Sequence, residues 1–379
     1  MPAGTRRARG RRVAQRGRRR RRAGERTWRG RTHHRNRNVT RIVASAPGKL
    51  VLLGEYAVLE GAPALVLAVN RRATATLTYV PGGDWQIASP TLGVQAHLRF
   101  QGNAASWSKE APAELAWIAT LLQLCPWAKD LPPCRIELDS DAFYLDQGDA
   151  RHKLGLGSSA ALTVALLGAL HACASLPTPT LDKCIDAHRA IQHGRGSGID
   201  IAASLTGGLS RFQRAGDTQR VAPAVLPHGL HWRCVYSGKP ASTGTMLATV
   251  AGWREREPGR FTHHMHELAT ISSRGIDAVA ANDAAAFLSC LHDYAHALAR
   301  FGESADADIA SREHRALSAL ATECGCVYKS CGAGGGDVGV TFAVEDKRLR
   351  EFEARAMRAG FPVIGLEADP KGLAIASTV

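Results

Sequence analysis

From residue 42 onward, short extended runs rich in Val, Leu and Thr alternate with long apolar stretches of helical period. Residues 42–45 and 49–53 read as two extended pieces around a turn at Ala46-Pro47-Gly48, and Gly54-Glu55-Tyr56 leaves the second. Residues 64–69 and 73–80 predict two strands, followed by a turn at Pro81-Gly82-Gly83-Asp84. Residues 113–124 predict a helix that stops before Pro126, and 135–138 predict a strand. Residues 160–174, rich in Ala and Leu, predict a buried helix. Residues 180–193 predict another, with Thr180 as its N-cap.

Residues 223–228 form a junction. Beyond it the pattern predicts a strand at 232–236 and helices near 246–253, 265–280, 284–300 and 308–323. A strand at 327–329, a glycine-rich turn at 332–336, a strand at 338–344, a helix at 347–359 and a strand near 363–366 follow. No internal repeat is visible. The reading is an α+β chain of two domains, 41–225 and 226–379, preceded by a segment of different character, 1–40.

Charge is what sets that segment apart. The chain has 48 basic and 34 acidic residues, of which 16 arginines and a single acid, Glu25, fall in 1–40; the rest holds 32 against 33. The net +14 therefore belongs to the leader, and the body is neutral. With few apolar residues and no period, the leader is expected to be disordered, and it lacks the apolar core of a secretory signal. Three readings compete for it: translated upstream sequence ahead of a start near Val39 or Val43, electrostatic binding of nucleic acid, or an organelle transit peptide. Arg without Lys favours the first, which leaves nucleic-acid binding as the alternative function from another class. The longest apolar stretch, near 160–170, is too short for a membrane span. Nine cysteines, with no CxxC pair, read as reduced thiols of a cytoplasmic protein.

Four glycine-rich or polar segments carry candidate chemistry: Pro47-Gly48-Lys49, Gly155–Ala160, Gly196–Asp200 and Ser330–Asp337. In the second, Gly155-Leu156-Gly157-Ser158-Ser159-Ala160 feeds a helix. Glycine opens backbone conformations closed to other residues, and a helix N-terminus offers free N–H groups to an anion such as phosphate. The loop is neither a Walker A sequence nor GxGxxG. Ser158 and Ser159 suit phosphate or magnesium, or else cap the helix. Asp200 suits a catalytic carboxylate or an N-cap. Lys49 suits charge neutralisation or plain solvation. Four glycines within 332–336 exceed the need of a hairpin and suggest close approach of a ligand. His263, His264 and His266 read as a solvated helix face, because no acid or cysteine completes a metal site.

The motifs together resemble the GHMP family of small-molecule kinases, over about residues 42–379. Ala46-Pro47-Gly48-Lys49 with Gly54-Glu55-Tyr56 resembles the first motif of that family, Gly155–Ala160 its ATP-phosphate loop, and Cys331–Asp337 its third motif. The resemblance implies a two-domain α+β fold, ribosomal protein S5 domain 2-like at the N-terminus and ferredoxin-like at the C-terminus, with a cleft between the halves. Finer features resemble the branch that phosphorylates 5-phosphomevalonate to 5-diphosphomevalonate: Gly54–Leu59, Ala187-His188 with Gln192, Gly196–Ala203, Ser237–Thr243 and Asp337. Mevalonate or another small alcohol is the alternative acceptor. By resemblance, Lys49 and Asp200 are catalytic. Gly155, Leu156, Gly157, Ser158, Ser159 and Ala160 hold ATP, and Ser159 holds Mg2+. Lys239, Ser242, Thr243, Ser197, Gly332, Ala333, Gly334, Gly335 and Asp337 hold substrate, with Arg195, Lys153 and Lys329 as weaker candidates. Partners are the metabolite and ATP, with no membrane, for a monomer or homodimer. One departure stands out: where mevalonate and homoserine kinases supply a glutamate metal ligand, His188-Arg189-Ala190-Ile191-Gln192 has no acid.

Overall fold

The computed structural model describes residues 41–148, 150–216 and 218–378. The arginine-rich leader lies outside them. Strand β1 (Arg41–Leu53) runs unbroken through Ala46-Pro47-Gly48, where the pattern predicts a turn. Its antiparallel partner β2 (Ala64–Tyr79) likewise joins two predicted strands into one. The register explains both. Pro47 faces Arg72 but Gly48 faces Val69, so Asn70 and Arg71 are extra residues of β2. Proline, with no N–H to give, is tolerated at such an irregularity.

The chain continues through β3 (Trp85–Ser89), β4 (Val94–Gln101), β5 (Ala104–Trp107), helix α1 (Ala116–Gln123) and β6 (Cys134–Asp139). A small hairpin, β7 (Tyr144–Gln147) and β8 (Ala150–Lys153), leads to α2 (Ser158–Cys173), α3 (Leu181–Ile191) and α4 (Ile199–Thr206), then to β9 (Leu209–Ala215) and β10 (Thr218–Ala224). In the large sheet, β2 is the hub. One side of it carries β1; the other carries β9 at its start and β6 at its end. Strand β10 extends β9, and β3, β4 and β5 extend β6, with β3 and β6 the parallel pair. Strands β4 and β5 and the hairpin β7–β8 escape the hydrophobic pattern because much of their surface is wet: β4, VQAHLRFQ, fully buries only Leu98; β3, WQIAS, alternates buried and half-buried residues but is only five residues long.

Helix α2 is buried on nearly every side, with only Ser159, Leu162, Ala172 and Cys173 outside the core, and packs on β1, β2, α3 and α4. Apolar character all round is what such a central position demands. Thr180 caps α3 as expected, its hydroxyl accepting from Lys183 N at 3.4 Å.

A second sheet follows. Its strands are β11 (His231–Tyr236), β12 (Val327–Ser330), β13 (Val338–Ala343) and β14 (Val363–Ile364), antiparallel in the order β12-β13-β11-β14. Between β11 and β12 come α5 (Thr243–Arg256), α6 (Pro258–Ala280), α7 (Ala284–Ala305) and α8 (Arg312–Glu323); α9 (Asp346–Arg358) precedes β14. Leu317 and Ala321 of α8 join Leu349, Phe352 and Ala356 of α9 in a separate small core around Val235. The spacing of the α9 trio puts them on one helix stripe. Phe287 of α7 packs edge-on against Phe342 of β13. Helix α6 reaches the first sheet, where Gly275 meets Leu53. The last strand, β15 (Ala374–Thr378), is absent from the sequence reading; it returns to the first sheet and pairs with the start of β1. All nine cysteines are free, and among the described residues no helix is long and apolar enough to cross a membrane.

Candidate functional site

The site is built where β1 resumes after its bulge. Gly48 has no room for a side chain, since a Cβ would lie 2.9 Å from the Leu156 carbonyl and from the Phe143 ring. That proximity docks the Gly155–Gly157 loop on the strand, and Lys49 N donates to Leu156 O at 2.9 Å. The Lys49 ammonium, its side chain 8 % exposed, lies 3.5 Å from the Gly155 carbonyl and 3.7 Å from Asp200 Oδ1. At Gly157 a Cβ would meet Lys49 Cε at 3.2 Å and Asp200 Oδ2 at 3.6 Å; at Gly332 it would meet Lys49 Nζ at 3.8 Å. Lysine, loop, carboxylate and third glycine segment therefore converge.

Neither helix at this centre is capped by the predicted side chains. Gly157, at φ 82°, is the N-cap of α2, so Ser158 and Ser159 do not cap it. Ser158 is buried and Ser159 is exposed at the helix mouth. Gly198, at φ 91°, caps α4, which places Asp200 inside the first turn, free to face Lys49. Both turns need a left-handed residue, and glycine takes that conformation without strain.

The sequence reading gave no role to His188. Its buried ring puts Nε2 3.3 Å from Ser159 Oγ and 3.3 Å from the Gln192 amide nitrogen. Burial holds its pKa below the ordinary histidine range, against the opposing pull of Asp200. A neutral imidazole thus stands behind the exposed hydroxyl, where a carboxylate was noted as missing.

The third segment divides. Gly332 faces Lys49, but Gly334, Gly335 and Gly336 pack on the Ile309 backbone, the Met246 methyl and the Lys239 carbonyl. Their lack of side chains serves packing within the protein. The Ala333 carbonyl accepts from Tyr56 Oη at 2.6 Å. Asp337, at φ 59°, accepts from Ala241 N at 3.0 Å and donates its own N–H to Lys239 O at 2.7 Å. Its carboxylate fills the space a Gly155 Cβ would need, and burial raises its pKa.

Behind this segment lies a buried ion pair, Glu55 with Lys329, at 3 % and 1 % side-chain exposure. Lys329 also donates to Ser330 O at 2.6 Å, and Tyr294 Oη donates to Glu55 O at 2.8 Å. Burial pushes the Glu55 carboxyl above its ordinary range despite the adjacent ammonium. Lys329 is therefore committed to Glu55 and not open to an anionic ligand. Pairing across 274 positions leaves no local signal; the Gly54-Glu55-Tyr56 motif was the only hint.

Other expected residues sit further out. Lys239 is about half exposed and paired with Asp308 at 3.0 Å. Ser242 caps α5, accepting from Thr245 N at 3.3 Å, and Thr243 begins that helix, exposed. Ser197 Oγ accepts from Ile199 N at 3.3 Å, Arg195 is exposed, and Lys153 acts on Asp337 through its charge. His263 and His266 are exposed, but His264 is half-buried against Trp253 and Phe301 and bonded to Ser304 at 3.0 Å; no cluster of three or more metal-binding side chains occurs among the described residues.

Comparison with known proteins adds four findings. Residues 117–208 match the family described as GHMP kinases N terminal domain. The chain is 28 % identical to a phosphomevalonate kinase of Streptomyces sp. over 79 % of its length and 89 % of that protein. It is 31 % identical to a mevalonate kinase of Methanothermobacter thermautotrophicus over 61 % of its length and 68 % of that protein. A crystal structure of Streptococcus pneumoniae phosphomevalonate kinase, in complex with phosphomevalonate and AMPPNP, superposes with a TM-score of 0.69 at 18 % identity, covering 86 % of this chain and 99 % of that one.

Proposed function

Since this chain belongs to the GHMP kinase family, we propose that it transfers the γ-phosphoryl group of ATP to 5-phosphomevalonate, giving ADP and 5-diphosphomevalonate. The observation that carries the proposal is the Lys49–Asp200 pair beside an uncapped helix N-terminus behind a glycine loop. Two polyanions must come within bonding distance, and a lysine between them lowers that cost. The N–H groups at the start of α2 receive ATP phosphate oxygens.

Magnesium, when bound, neutralises phosphate charge. It binds through few protein oxygens, mostly substrate phosphates and water, and a hydroxyl and a carboxylate are oxygen donors of that kind. Ser159 and Asp200 are the residues that would hold it, with His188 orienting the hydroxyl.

The acceptor decides what Asp200 does. An alcohol must lose a proton to a base as the new P–O bond forms. A phosphate monoester, with a second pKa of about 6, is mostly ionised at neutral pH. For phosphomevalonate, Asp200 then orients Lys49 while the acceptor oxygen attacks the γ-phosphorus and the bond to the bridging oxygen of ADP breaks. The absence of an acid at 188–192 supports this reading over mevalonate. Free thiols throughout support a reducing, cytoplasmic setting.

The test is to incubate the protein with ATP and either mevalonate or 5-phosphomevalonate and follow ADP. Turnover of phosphomevalonate alone is expected, and turnover of mevalonate alone overturns the proposal. Asp200→Asn is expected to cost only a few-fold in kcat; a loss of about 10²–10⁴, the range of general-base catalysis, would make it a base.

A further inference from the structure

The far end of α2 holds a pair of thiols. Tyr79 and Cys134 are directly opposed in the antiparallel pairing of β2 with β6, so their side chains leave the same face of the sheet. Helix α2 packs on that face and brings its last residue, Cys173, to them. Tyr79 Oη lies 3.3 Å from Cys173 Sγ, and the Cys134 and Cys173 thiols are near enough for each to perturb the ionisation of the other. The other sulfur contact of Cys134 is the Pro132 carbonyl, at 3.3 Å.

The two thiols differ. Cys134 is 1 % exposed and Cys173 is partly exposed. The neighbouring Cys134 thiol and Tyr79 hydroxyl hold the Cys173 thiol below the ordinary cysteine range, whereas the approach of Cys173 and burial push Cys134 up. The thiolate is the nucleophile, so the accessible partner is also the reactive one. This is the arrangement of an attacking and a resolving cysteine.

We propose that Cys173 and Cys134 form an oxidant-responsive pair that closes a disulfide on exposure to a hydroperoxide. The Cys173 thiolate attacks one peroxide oxygen, the O–O bond breaks, and the leaving hydroxide takes a proton to become water. Cys173 is then a sulfenic acid. The Cys134 sulfur attacks it, the S–S bond forms, the S–O bond breaks and a second water leaves. Two thiols supply the two electrons that reduce one hydrogen peroxide. The bond would join β6 to the end of α2 and enclose the segment that carries the Gly155–Gly157 loop. The inference does not depend on which metabolite the site accepts.

The experiment uses the full chain, freed of reductant, with hydrogen peroxide as the probe and peptide mapping by mass spectrometry after alkylation. Expected are a Cys134–Cys173 linked peptide, loss of two of the nine thiols, recovery of both with dithiothreitol, and a melting temperature a few degrees higher in the oxidised form. Cys134→Ser should leave Cys173 trapped as a sulfenic acid that labels with dimedone. Tyr79→Phe should slow thiol loss several-fold. If both thiols stay alkylatable while other cysteines oxidise, or if Cys173 goes directly to sulfinic acid in the wild-type chain, the proposal is wrong. The wild-type map decides the matter even if a variant fails to fold.

Discussion

Two lysine–carboxylate pairs lie beside Gly332, and they are built differently. Lys329 and Glu55 are sealed from water and bonded to each other, with a tyrosine on the Glu55 carbonyl. Lys49 and Asp200 stand 3.7 Å apart, the carboxylate about a third exposed, beside a loop that keeps their surroundings clear of side chains. The tight pair is closed off beside the Gly332 backbone; the loose pair leaves charge available to a third party. Distance and burial, more than residue type, separate scaffold from chemistry.

Removing one member of each pair tests this contrast. Lys329→Met leaves Glu55 buried without its partner and is expected to cost about 3–5 kcal/mol of stability, read from urea unfolding. Lys49→Met should cut kcat by about 10²–10³, as loss of a charge-stabilising donor does, with unfolding nearly unchanged. Equal destabilisation by the two variants would erase the distinction. The glycines sharpen it. Both positions have positive φ, so alanine strains the backbone at each; Gly334→Ala also forces a methyl into the Ile309 backbone and should cost about 1–3 kcal/mol more, whereas Gly157→Ala meets only the Lys49 and Asp200 side chains and should add a rise in KM for ATP.

The smallest effect expected is a pH dependence of stability from His314, buried beneath the glycine turn. Its Nδ1 lies 2.8 Å from Tyr328 Oη and its Nε2 2.9 Å from the Gly336 carbonyl, so the neutral ring satisfies both partners. Burial lowers its pKa, with Lys329 lowering it further and Glu313 and Asp308 opposing. The unfolded chain takes up a proton near pH 6.5 and the folded chain does not, so this contribution is present above that pH and lost as pH falls toward the depressed value. His188 and His171 are shifted the same way. The denaturation midpoint should therefore drop between pH 8 and 5.5, and less so in His314→Gln.

Much of the molecule was readable in the chain, unevenly so. Helices α2, α3 and α6 to α9 announced themselves because one burial stripe, or full burial, dictates their residues. Strands β4 and β5 did not, since a half-wet strand carries little alternation, and β3 alternates over only five residues. The Pro47-Gly48 turn was misread because only the opposite strand, with its two extra residues, shows that proline there sits at a bulge. Lys49, Asp200 and the 155–160 loop were singled out by motif. That Ser159 leans on His188, and that Lys329 belongs to Glu55, depends on pairings between distant segments that no local pattern encodes.

Strand β15 has a consequence for how the molecule is made. Residues Arg41–Ser45, at the head of the strand that bears Lys49, find their second neighbour in Ala374–Thr378. On the ribosome that edge stays open until Ala374–Thr378 have emerged, more than 300 residues after β1. The strand that bears Lys49 is thus completed long after it is made, and a chain stalled before Ala374 would present a bare sheet margin to other proteins.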